Sequence, residues 1–103
     1  MLNRLDHAMK WAKHRRIERR SSAGMIYVIQ SGDYTKIGIA GAVPGRMREL
    51  QVGNPIELQL LHHWPSERAE ADEYSIHQHL REWRVRGEWF KLPCDVLDGL
   101  IGI

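Results

Sequence analysis

The chain has 103 residues, 43% of them hydrophobic and 27% charged, a balance that suits one small globular domain and excludes a disordered polyelectrolyte. No apolar run approaches the ~20 residues of a membrane span, and the charged first twenty residues lack the apolar stretch of a secretory signal. The single cysteine, Cys94, has no partner for an internal disulfide or a zinc site, so a reducing, cytoplasmic setting is expected.

The formal charge of +2 is unevenly spread: residues 1–20 carry +5 and the remainder −3. Lys10, Lys13, Arg15, Arg16, Arg19 and Arg20 make the first segment a candidate nucleic-acid-binding arm, since a basic cluster ahead of an acidic body favours a polyanion. Leu2, Leu5, Met9 and Ala12 recur at helical spacing, which predicts an amphipathic helix able to dock on the body or on a second copy as a homodimer. Ser21 to Gly24 breaks this pattern. The expected organisation is therefore an arm over 1–23 and a folded domain over 24–103.

In the body, the β-branched and aromatic runs 25–30 and 34–40 predict a hairpin with a three-residue turn, Ser31-Gly32-Asp33. A short helix over about 46–52 follows, ended by Gly53-Asn54-Pro55. A third strand is expected over 57–64 and a longer helix from Pro65-Ser66 to about Trp83. Residues 88–92 read as extended and 95–101 as a closing helix. The fold class is α+β: a three-stranded antiparallel sheet flanked by helices, order ββαβα, preceded by the basic helix.

Alternation assigns Ile26, Val28, Ile37 and Ile39 to one face of the hairpin. Met25, Tyr27 and Ile29 share the other with Tyr34, Lys36 and Gly38, where the glycine leaves room for an approach to the backbone. In the long helix, Ala69, Ile76, Leu80 and Trp83 form an apolar stripe that Glu73 interrupts, with His77 one turn later. A carboxylate on such a stripe needs a partner. It is either a salt bridge to Arg46 or Arg84, or a metal ligand or general acid/base in a cleft. The adjacent His62 and His63 diverge in a strand, and His77 and His79 diverge in a helix, so neither pair chelates. The tryptophans are expected mainly in the core.

Met25-Ile26-Tyr27 followed by Lys36-Ile37-Gly38, then Arg46, Leu50 to Pro55, Glu73 with His77, and Gly87 to Phe90 form an ordered set that resembles the GIY-YIG nuclease superfamily, in its phage-type branch (catalogued also with meiotically up-regulated genes). The resemblance implies a metal-dependent DNA endonuclease with little intrinsic sequence specificity. It implies Tyr27 as general base or water-orienting group, Arg46 as phosphate clamp and Glu73 as ligand of Mg²⁺, with Mn²⁺ as a substitute. A cation such as Lys36 would help the phenol ionise, and His77 joins the catalytic candidates. The sequence departs from the superfamily in having Lys36 where the second motif carries tyrosine, and Leu50 where many relatives carry histidine. The alternative function is a catalytically impaired nucleic-acid-binding or protein-interaction module of the same fold.

Overall fold

The computed structural model describes residues 23–102; the arm, with its basic residues and its apolar stripe, lies outside the described residues. The elements are β1 (Gly24–Ser31), β2 (Tyr34–Ala40), α1 (Val43–Gln51), β3 (Gln59–Ser66), α2 (Ala69–His79), a 3₁₀ turn (Arg81–Trp83), β4 (Arg84–Arg86), β5 (Trp89–Phe90) and α3 (Cys94–Ile101). The described residues are thus α+β, but the sheet has five strands rather than three, in the order β3-β1-β2-β5-β4, and every described strand pair is antiparallel. The two additional strands are the short β4–β5 hairpin. Residues 84–86 are too few and too polar to announce a strand by alternation.

The β1–β2 connection is Gly32-Asp33, two residues rather than three, because Ser31 and Tyr34 pair directly. Gly32 at φ 61° is its only left-handed residue, the geometry of a type II′ turn with glycine first. Helix α1 starts three residues before its sequence-based limit, since Pro44 supplies the φ of a first helical turn. The larger correction concerns 65–83. Pro65 and Ser66 finish β3, where proline is tolerated because β3 is an edge strand. The helix then begins only at Ala69 and ends at His79. The Ser66 hydroxyl holds its start, donating to Asp72 at 2.7 Å and accepting from the Arg68 amide at 3.1 Å.

Two apolar clusters lie on the two faces that alternation separates. Ile26, Val28 and Ile37 pack with Ala69, Leu80 and Phe90, flanked by Ile39, Ile76, Trp64, Trp83 and residues of α3. On the opposite face Tyr27 and Ile29 pack with Val43 and Leu58, flanked by Met47, Leu50 and Trp89. Gln51 ties α1 to the loop after it. Its amide donates to the carbonyls of Asn54 and Ile56 at 3.2 and 3.0 Å, and its oxygen accepts from the Leu58 amide at 2.9 Å.

Candidate active site

The site arises where the sheet is cut short. Strand β5 pairs only with Thr35 and Lys36 of β2, and the Ile37 amide still reaches the Glu88 carbonyl at 3.1 Å. Beyond that point the free side of β2 is met by side chains. His77, from α2, bonds the Ile37 carbonyl through Nε2 at 2.9 Å. Burial lowers the His77 pKa, so the ring is neutral, and bonding to a carbonyl fixes its proton on Nε2. His77 thereby anchors α2 to the strand. Its Nε2 stands 4.0 Å from Glu73 Oε2, too long for a hydrogen bond.

Next along β2 is Gly38, directly opposite Tyr27. A Cβ there would lie 2.6 Å from Tyr27 Cζ and 2.9 Å from Glu88 Oε1. The missing side chain therefore lets the phenol and a carboxylate converge over one strand. Arg46, from α1, donates through Nε to the Tyr27 hydroxyl at 3.5 Å and through Nη1 to Glu49 at 3.0 Å. Lys36 is buried and paired with Glu88 Oε1 at 3.1 Å, its ammonium 5.4 Å from the Trp89 ring centre.

The cation beside the phenol is thus Arg46, while Lys36 is committed to Glu88. Burial raises the Tyr27 pKa, the Arg46 hydrogen bond opposes that rise, and the charges of Glu88 and Glu73 add to it. Tyr27 is a neutral phenol at neutral pH.

Glu73 is the most perturbed group. Its side chain is 18% exposed, and Oε2 is buried with no hydrogen-bond partner. Burial, followed by the neighbouring Glu88 carboxylate, lifts its pKa from 4.5 to about 8, with Lys36 opposing. Neither Arg46 nor Arg84 serves as its salt-bridge partner. Arg46 bonds Tyr27 and Glu49, and Arg84 Nε donates to the Gly87 carbonyl at 2.8 Å.

The structure therefore brings Tyr27, Arg46, Lys36 and Glu73 within electrostatic reach of one another and uses His77 as a strut. Glu88 completes the cluster. The resemblance takes in Gly87 to Phe90 and so includes Glu88, but periodicity alone does not give its place, because a glutamate after a turn glycine carries no pattern until the β4–β5 turn folds against β2.

The T5orf172 domain profile matches residues 24–102, which is the whole described body apart from its first residue. The chain belongs to the T5orf172 family. This family is associated with endonuclease-like domains. No curated protein and no solved structure gives a significant match. Every residue of the cluster, from Tyr27 to Glu88, falls inside the T5orf172 domain. No helix among the described residues is long and apolar enough to cross a membrane.

Proposed function

We propose that the T5orf172 domain is a metal-dependent endonuclease that hydrolyses DNA phosphodiester bonds with little sequence preference of its own. The observation that carries this reading is the Glu73 carboxyl, whose Oε2 is buried without a hydrogen-bond partner next to the Glu88 carboxylate, which itself converges with the Tyr27–Arg46 pair over Gly38. With its pKa lifted to about 8 the group holds a proton at neutral pH, because an ionised carboxylate is costly in such a place; a divalent cation bound there would offset that cost and favour the charged form.

The donors fit a hard divalent ion. They are oxygens from Glu73 and Glu88, and among the described residues no group of three or more His, Cys, Asp or Glu could enclose a metal. A pair of carboxylates suits Mg²⁺, which keeps waters and uses one or two such groups together with substrate phosphate. When bound, the ion would supply Lewis-acid stabilisation of charge on the phosphate.

The chain's own groups do the rest. Arg46 binds the scissile phosphate, with Nη2 free of partners among the described residues, and stabilises the charge that grows on its oxygens. Tyr27, a neutral phenol with Arg46 on its oxygen, orients the attacking water. Lys36 holds Glu88 in place through their ion pair, and His77 holds α2, and so Glu73, at the strand.

The test is plasmid cleavage in Mg²⁺ or Mn²⁺. Wild-type protein nicks or linearises the plasmid, and Arg46→Ala and Glu73→Ala each lose at least about a hundredfold. Cleavage that persists in EDTA, or in Glu73→Ala, overturns the proposal. Salt-sensitive DNA binding without cleavage in any metal supports a non-catalytic binding module instead.

A further inference from the structure

On the same sheet face as Tyr27, a groove of about 560 Å³ opens between the loop after α1 and the β4–β5 hairpin. Its walls include Val52 and Pro55 on one side and Val85 and Arg86 on the other, with Tyr34 and Trp89 between them. Tyr34, Val52 and Val85 are 43%, 80% and 56% exposed, so solvent meets an aromatic and aliphatic surface there. None of the cluster's hydrogen bonds uses these residues.

The groove joins the cluster. Trp89 lines the groove, lies opposite Lys36 in the sheet and carries the Lys36 ammonium near its ring. Tyr34 is four residues from Gly38 on one face of β2, about 13 Å at the usual rise of a strand. The charge is one-signed: Arg86 is the only ionisable wall residue apart from the Tyr34 phenol, and no carboxylate faces the groove among the described residues.

We infer that this groove binds unpaired nucleobases of the strand whose phosphate lies at Arg46, stacking a base on Tyr34 while Arg86 meets the adjoining backbone. This rests on the nuclease reading for the position of the phosphate. An aromatic floor with a cationic wall is the combination that holds single strands, because every base has a π-face and every linkage a charge. A duplex buries those faces in its own stack and offers none to Tyr34. The occupant is therefore single-stranded, and the enzyme acts beside unpaired DNA such as a flap, gap or loop.

The experiment measures binding by the full chain in EDTA, with a labelled 15-nucleotide oligothymidylate and a 15-base-pair duplex as probes. Tyr34→Ala loses about tenfold or more in affinity for oligothymidylate, Tyr34→Phe restores it, and duplex affinity changes less than twofold. Val52→Glu, at a position too exposed to threaten folding, weakens oligothymidylate in the same way by placing a negative charge at the rim. Wild-type affinity for oligothymidylate in both Tyr34→Ala and Val52→Glu overturns the inference. So does an equal loss on duplex, or failure of the wild-type protein to bind the oligonucleotide. Because EDTA removes cleavage from the measurement, these outcomes are independent of the plasmid assay. Loss of the nuclease reading shows there, and loss of the base site shows here.

Discussion

Replacing Glu73 by glutamine should make the metal-free protein more stable at alkaline pH while abolishing its activity. The folded state lifts the Glu73 pKa from 4.5 to about 8, so between those values it binds a proton that the unfolded chain releases. The stability this proton supports is complete below pH 4.5 and is lost progressively as the pH rises through 8. At 1.36 kcal/mol per unit the lift corresponds to an upper bound of about 5 kcal/mol. The side chain keeps 18% of its surface in water and shares the site with Glu88 and Lys36, which reduces the effect to about 2 kcal/mol. Glutamine is neutral at every pH and retains a donor towards Glu88. The expected result in EDTA at pH 8.5 is a Tm about 10 °C above wild type, with the two proteins converging below pH 5. Adding Mg²⁺ at pH 8.5 should raise the wild-type Tm and leave the variant unmoved. A variant that melts at or below wild type at pH 8.5 would refute the claim that Glu73 is held uncompensated.

Three further outcomes are expected. Gly38→Ala must displace the Tyr27 ring and Glu88, costing about 1–3 kcal/mol and at least tenfold in plasmid nicking; near wild-type values in both urea unfolding and nicking would count against the convergence over this strand. Gln51→Ala removes three hydrogen bonds to the 54–58 loop, a loss of about 2 kcal/mol that should appear as faster amide exchange at Leu58, whereas unchanged exchange would free the loop from that tether. Deleting residues 1–20, which carry +5, should flatten the salt dependence of DNA binding by about 0.9 for each phosphate the arm neutralises; an unchanged slope with a lowered Tm would make the arm structural.

The readable part of the fold was the part governed by short periods. Two-residue alternation separates Ile26 and Val28 from Tyr27 and Ile29, and the two clusters follow that division. Helical spacing marks Glu73 as the misplaced charge of its stripe, and its oxygen is an orphan in the structure. Boundaries are harder where one residue type serves two purposes. Pro65 and Ser66 read as a helix start, yet they equally end an edge strand, and only the pairing of Met25 with Pro65 decides the matter. Long-range partners leave no trace. His77 meets a carbonyl forty residues away in sequence, and backbone carbonyls have no residue signature. Alternation puts Lys36 on the correct face, but its choice of Glu88 over the phenol depends on a turn that local pattern does not reveal.

The early end of β5 at the β2 edge also bears on when the site exists. Its groups come from β1, β2, α1, α2 and the β4–β5 turn, and the last to be synthesised, Glu88, is the one that reaches over Gly38. A chain arrested before residue 88 lacks Glu88, the counter-ion of Lys36, and Phe90, which is fully buried in the core. Since domains form as the chain emerges from its N-terminal end, the cluster is assembled only when the body is complete. Incomplete copies therefore lack the proposed chemistry by topology alone, without an inhibitor.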